Sequence, residues 1–241
     1  MADILTVDCL TKEFGRLRAV DALSFEVREG EILGIMGPNG AGKTTVFNLL
    51  TGVFKPDSGT ITFLGKDITD ESPARRCHLG MGRTYQIPRP FDKLTVYENL
   101  LVGAMHGGGL SERHAREQIH EILELVDMGS MRDTLAGGLS ILNRKKLELG
   151  RALATQPSLI LLDEVAGGVT EKEGEQILET VNKIWSRGVT IVWIEHILRM
   201  MSEGVHRLLC IAEGCFLQCG DPKEVMCSPE VLECYLGVEE E

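Results

Sequence analysis

The segment Gly37-Pro-Asn-Gly-Ala-Gly-Lys-Thr44 constrains this chain more than any other. It fits the pattern G-x-x-x-x-G-K-[ST], between an apolar run, Ile32–Met36, and a run with helical spacing that starts at Thr45. Glycines at 37, 40 and 42 let the backbone amides curl around an anion. The helix that follows adds its positive dipole end. Lys43 then reaches the β- and γ-phosphates of a nucleotide, and the Thr44 hydroxyl can ligate Mg²⁺. The competing reading is an ordinary glycine-rich turn from strand to helix. Composition alone would produce the four fixed positions in about one such chain in a hundred, and the flanking strand and helix make coincidence rarer still.

The rest of the chain suits an α/β domain. Leu159–Leu162 and Val189–Ile194 are almost wholly apolar, like Ile32–Met36, as expected of parallel strands covered on both faces. Between them, Glu171–Ser186 places Ile177, Leu178, Val181, Ile184 and Trp185 on one helical stripe, with Gly188 as a stop. Ile4–Cys9, Ala22–Val27 and Thr60–Leu64 read as short strands separated by turn signals. His206–Ala212 and Cys215–Cys219 read as a hairpin about Glu213-Gly214. The stretch 88–157 reads as helical. Thr95-x-x-Glu98 is a capping box opening Val96–Met105, and Ser111 starts a helix with the stripe Ala115, Ile119, Ile122, Leu123, Val126. The expected domains are a nucleotide-binding α/β core with an antiparallel β subdomain, 1–87 and 158–241, and a helical subdomain, 88–157.

Composition narrows the function classes. With 241 residues the chain can form one large domain with an insert. The net charge of −11 argues against nucleic acid as a partner. No run has the length of a membrane span, and the N-terminus lacks the basic and apolar regions of a signal peptide, which implies the cytosol. Seven cysteines, five of them after residue 209, form no C-x-x-C pair and read as small buried thiols rather than a zinc site. The basic run Arg144-Lys145-Lys146 reads as a solvated helix face, with a contact to nucleotide or a membrane partner as the other reading.

Two further constellations carry chemistry. Leu159–Leu162 delivers Asp163 and Glu164 to the C-terminal edge of a buried strand, where open α/β sheets bind ligands. Asp163 suits the metal, directly or through water, and Glu164 suits polarising an attacking water. His196 ends the next apolar strand and falls at the same edge, near a γ-phosphate; Glu195 beside it has no assigned role.

These residues together resemble the ATP-binding subunit of an ABC transporter, along the whole chain. Residues 37–45 resemble that family's Walker A motif and 159–164 its Walker B. The resemblance implies a P-loop (RecA-like) parallel-sheet core with an antiparallel β subdomain and an inserted α-helical subdomain. It implies nucleotide contacts from Gly37, Pro38, Asn39, Gly40, Ala41, Gly42, Lys43, Thr44 and Thr45. Gln86, in Arg83-Thr-Tyr-Gln86, matches the Q-loop glutamine that senses γ-phosphate and metal. Thr44, Gln86 and Asp163 would hold Mg²⁺, and Glu164, His196 and Gln86 would serve catalysis. Phe14 falls where an aromatic stacks on adenine. The stretches RTYQIPRPF, LTVYENLLVGA and the ending CYLGVEEE resemble the LivG-type ATPases of branched-chain amino-acid importers.

Two departures stand out. Where the family has L-S-G-G-Q, the frame set by Leu147-Glu148-Leu149 gives Leu139-Ser140-Ile141-Leu142-Asn143. Ser140 is kept, as the natural N-cap of a helix through Thr155, and both glycines are lost. A rival alignment uses Leu135-Ala136-Gly137-Gly138-Leu139 and needs a four-residue shift. Ala166-Gly-Gly-Val-Thr170 stands where many relatives carry a D-loop aspartate. The resemblance implies ATP and Mg²⁺, a second ATP-binding subunit, the same or different, that receives Ser140, integral membrane permease subunits, and a peripheral place on the cytoplasmic side of the cell membrane. Two other readings stay open at this point: a soluble ABC-type ATPase of cluster assembly or DNA maintenance, and a P-loop kinase of small metabolites.

Overall fold

The computed structural model describes residues 2–236. In chain order its elements are β1 (Asp3–Phe14), β2 (Leu17–Arg28), β3 (Ile32–Met36), α1 (Lys43–Leu50), β4 (Ser58–Phe63), β5 (Lys66–Asp67), α2 (Pro73–His78), β6 (Met81–Arg83), α3 (Val96–Val102) and α4 (Glu112–Leu125). There follow α5 (Ile141–Ala154), β7 (Leu159–Asp163), α6 (Glu171–Ser186), β8 (Thr190–Ile194), α7 (Leu198–Gly204), β9 (Arg207–Ala212), β10 (Cys215–Gly220), α8 (Pro222–Met226) and α9 (Pro229–Leu236). They divide into two compact units, residues up to 73 with those from 190 onward, and residues 74–189. The end of the CYLGVEEE stretch, from residue 237, lies outside the described residues.

The first unit holds an antiparallel sheet in the order β2-β1-β4-β5. Its strands run longer than their hydrophobic patterns. The expected strand Ile4–Cys9 continues to Phe14, and Ala22–Val27 is the inner part of β2. Cys9 and Ala22, at φ 46 and 44, fall in shifted stretches of the register. Such bulges break the period-2 pattern without ending the pairing, so an alternation count stops too early. The parallel core of this unit is β3, paired with β8 on one side and β9 on the other, and β10 closes it antiparallel to β9. All five residues of β3 and of β8 are buried, as expected of strands covered on both faces.

In the second unit β6 runs parallel to β7, with Gly82 beside Ile160. Three residues long, β6 has too short a pattern to be read from sequence. Helices α3, α4 and α5 pack together. A Cβ on Gly150 of α5 would lie 2.9 Å from Leu100 Cδ2 of α3, so glycine sets their close approach. The caps fall where the sequence places them. Thr95 and Glu98 form the capping box of α3, and the Ser111 hydroxyl accepts from the His114 amide. Thr170 and Glu173 form a second capping box, at the start of α6. The expected helix Val96–Met105 leaves α-geometry at Val102 and continues as one wider turn, Gly103–Gly107. A Cβ on Gly107 would meet Thr155 Cγ2 at 2.5 Å, so this turn lies tight against the end of α5. The fold is the expected α/β architecture, with a parallel-strand core, an antiparallel sheet and a helical insert.

Candidate nucleotide and hydrolysis site

The phosphate loop Gly37–Gly42 joins β3 to α1 in the first unit. Its glycines are required by space at 37 and 42 and by conformation at 40 and 42. A Cβ on Gly37 would lie 2.1 Å from the Ile211 carbonyl oxygen, and one on Gly42 (φ +94) 2.3 Å from that of Ala19. Both neighbours are backbone and cannot rotate away. Gly42 is the N-cap of α1 and brings no side-chain cap, so the amides of Lys43, Thr44 and Thr45 head the helix toward the loop. Lys43 is buried, and its Nζ donates to the carbonyls of Gly37 (2.6 Å) and Pro38 (2.9 Å). The loop closes on itself through the Ala41 amide to the Pro38 carbonyl, 3.1 Å. Thr44, Asn39 and Gly40 are exposed, while Pro38 and Thr45 are half-buried. Phe14 is exposed and stands edge-on to Phe54 at 5.3 Å.

Two neighbours of this loop, Tyr235 and Cys210, carry no local sequence signal. Burial, followed by Cys210, pushes the Tyr235 phenol up to about 12, against a hydrogen bond from the Gly37 backbone that lowers it. Cys210 is itself pushed up to about 11, by burial first and then Cys234, with Lys43 acting the other way. Only contacts between distant segments could reveal either group. Cys210 is the one fully buried thiol among the described residues; Cys215 and Cys227 are exposed, so the expectation of buried late cysteines fails for them. Strand β10 lies at a sheet edge and Cys227 ends a short helix, so neither position is enclosed.

His196 follows β8, as its position implied. Its side chain is 58% exposed, and the Glu195 carboxylate is fully buried, with Oε2 3.8 Å from His196 Nδ1. The same oxygen accepts the His196 amide at 3.2 Å.

The second unit carries the acid pair. Asp163 ends β7, buried, with Oδ2 3.1 Å from Arg83 Nη2. Its amide donates to the Thr84 hydroxyl, 3.1 Å away. Glu164 comes next at φ 46, a left-handed conformation that disfavours a residue with a Cβ by roughly 1–2 kcal/mol. Gln86 Nε2 donates to Glu164 Oε2 at 2.5 Å, so these two predicted residues meet. Arg83 and Thr84 lie in the Arg83-Thr-Tyr-Gln86 stretch, and the sequence assigns them no role.

The altered signature is local to this unit as well. Ser140 caps α5 and accepts the Asn143 amide at 3.3 Å, as expected. Ile141 is 59% exposed at that helix end. In the rival stretch Ala136–Gly138 forms a single 3₁₀ turn. The basic run is not a solvated face. Arg144 donates to the carbonyls of Gly137 (2.8 Å) and Leu139 (3.2 Å). Lys145 and Lys146, each 4% exposed, reach the Glu164 carbonyl (2.9 Å) and Asp127 with Gln176 (3.2 Å each). Three adjacent cations on α5 look solvated by charge alone; the long stems bury because carbonyls and polar side chains await their heads.

A phosphate loop on a parallel-strand core, together with a carboxylate pair at a strand end, defines a P-loop ATPase. Residues 20–167 match the model of the ABC transporter family. The chain belongs to that family and is one of its ATP-binding, ATP-hydrolysing members. It is 35% identical to the high-affinity branched-chain amino acid transport ATP-binding protein BraF of Pseudomonas aeruginosa, over 97% of this chain and 98% of the relative. It is 34% identical to LivG of Salmonella typhimurium, with the same coverage. Two solved ATP-binding cassettes of ABC transporters, one nucleotide-free and one in its ADP conformation, each match at TM-score 0.89 and 34% identity, over 98% of this chain and 100% of theirs. These relatives are transport proteins, and they set aside the soluble-ATPase and kinase readings. No helix among the described residues is long and apolar enough to cross a membrane.

Proposed function

We propose that this chain hydrolyses ATP to energise import of branched-chain amino acids, or of a related small polar solute, as a peripheral subunit on the cytoplasmic side of the membrane. The near-complete match to BraF and LivG carries the substrate class. The residue roles rest on the geometry of each unit. Lys43, Thr44, Thr45 and the amides of residues 37–42 bind the phosphates, and Phe14 stacks on the adenine. Glu164 takes a proton from the attacking water, oriented by Gln86. His196 contacts the γ-phosphate through Nε2 and is held by Glu195. Ser140 serves the nucleotide of a second ATP-binding subunit, and the helical segment 88–157 meets the permease subunits.

The donor set fits Mg²⁺. A threonine hydroxyl, a carboxylate and an amide are hard oxygen ligands. Thr44, Asp163 and Gln86 would hold the ion, Asp163 directly or through water because Arg83 already occupies Oδ2. When bound, the ion neutralises charge on the β- and γ-phosphates.

The test is steady-state ATP turnover with a parallel binding measurement. Glu164→Gln keeps the shape and the contact with Gln86 and removes the base. Turnover falls at least about a hundredfold, the range for loss of a general base, while ATP still binds. Unchanged turnover excludes Glu164 as the base. Reconstitution with permease subunits and labelled leucine checks the substrate: ATP-dependent uptake supports the reading, and turnover indifferent to amino acids counts against it.

A further inference from the structure

Glu164 holds its unusual backbone conformation at a point where three other groups converge. Its carbonyl oxygen accepts the Lys145 ammonium at 2.9 Å and the Gly167 amide at 3.1 Å. Its side chain accepts Gln86. A non-glycine residue in left-handed backbone persists only where its surroundings over-determine it. Lys145 is one of the groups that do so. It is 4% exposed, which a lysine tolerates when its ammonium is well paired.

Lys145 comes from α5, the helix that Ser140 caps. Lys145 lies five positions after the cap, about 7–8 Å along a helix. The neighbours hold the same helix from other sides. Arg144 pins its start to the Gly137 and Leu139 carbonyls, and Lys146 pins it to Asp127 and Gln176. Helix α5 therefore joins its Ser140 end to Lys145 as one rigid piece. A shift at its Ser140 end moves Lys145, and Lys145 bears on the backbone of Glu164.

We propose that Lys145 is a positioning residue for Glu164, and that through it the Ser140 end of α5 governs hydrolysis at the site to which this chain contributes its own carboxylate. The inference rests on the reading of Glu164 as the base and of Ser140 as a contact to a second subunit's nucleotide. A chain whose signature helix is engaged by ATP thus sets its own carboxylate for attack. One site then reports its occupancy to the other through a single side chain.

The experiment is a double-mutant cycle on the full-length protein. Single-turnover ATP hydrolysis and ATP affinity are measured for the wild type, Lys145→Met, Lys145→Arg, Glu164→Gln and the Lys145→Met/Glu164→Gln double variant. Methionine matches the lysine stem without its charge, and arginine keeps the donor. Lys145→Met is expected to lower the hydrolysis rate at least tenfold, with ATP affinity unchanged within about twofold. Lys145→Arg restores most of that rate. In the Glu164→Gln background, Lys145→Met produces no further loss, because its effect passes through the carboxylate. An equal loss in both backgrounds overturns the inference, and so does a wild-type rate in Lys145→Met. If Lys145→Met is poorly folded, Lys145→Arg decides alone, and a tenfold fall there with unchanged affinity and unchanged urea midpoint also overturns it. Wild-type turnover in Glu164→Gln removes the underlying reading instead, whatever Lys145 does.

Discussion

The Arg83 guanidinium and the Asp163 carboxylate are both almost wholly out of water, at 8% and 6% side-chain exposure. Neither tolerates losing the other. Arg83→Ala takes the guanidinium partner from a buried carboxylate and is expected to destabilise the protein by about 3–5 kcal/mol, read as a fall in urea midpoint at constant slope. Arg83→Met with Asp163→Asn, which removes both charges, should recover much of that loss. A thiol tells a similar story. Cys210, raised to about 11 chiefly by burial, keeps only about one thiolate in a thousand at pH 8. Native protein treated with iodoacetamide should therefore be modified at exposed Cys9, Cys215 and Cys227 and spared at Cys210, by peptide mass spectrometry. Rapid native-state labelling of Cys210 would contradict its enclosure. Neither residue declared itself in the sequence. Arg83 lies in a recognised stretch but its partner is 80 positions away, and Cys210 looks like its four late neighbours.

At the level of elements, local signals were the readable ones. The caps at Thr95, Ser111 and Ser140 are side chain to amide bonds spanning three residues, so a short window contains both partners. Ser140→Ala should cost about 1 kcal/mol, and Ser140→Asn much less, in denaturant unfolding. A cost under about 0.3 kcal/mol for alanine would mean that the cap carries little. Strand lengths were read less well, because bulges at Cys9 and Ala22 move the alternating pattern to the other face. The basic run of α5 looks solvated in sequence for another reason. A helical wheel gives the direction of a side chain but not what waits there, and for Lys145 and Lys146 it is the Glu164 carbonyl and the Asp127–Gln176 pair.

At the scale of the whole molecule, the altered signature Leu139–Asn143 carries a prediction about activity. Ile141 and Leu142 bring bulk to the helix end assigned to a second subunit's nucleotide. Replacing both with glycine and Asn143 with glutamine is expected to raise the turnover of the chain alone several-fold. Three changes in the first helical turn should cost roughly 1–2 kcal/mol of stability, since glycine is a poor helix former. Unchanged turnover at matched folded fraction would show that this helix end does not limit hydrolysis. Adding an ATP-binding subunit with an intact L-S-G-G-Q should have the same effect without any substitution. The net charge of −11 belongs to this scale as well, since it disfavours a polyanion partner without choosing among protein partners.

Sequence alone determined the nucleotide chemistry of this protein. The phosphate loop is contiguous, its lysine and threonine are fixed by spacing, and the strand before it and the helix after it carry their own hydrophobic periods. The same holds for Asp163 and Glu164, which a single apolar strand delivers together. What only the tertiary structure decided is how those groups are held. Arg83 on Asp163, Gln86 and Lys145 on Glu164, and Tyr235 beside Gly37 join residues far apart along the chain. Such contacts depend on how strands register and helices pack. No local propensity encodes them, and burial makes the Arg83–Asp163 and Lys145 contacts matter most, because a polar group out of water must find a partner.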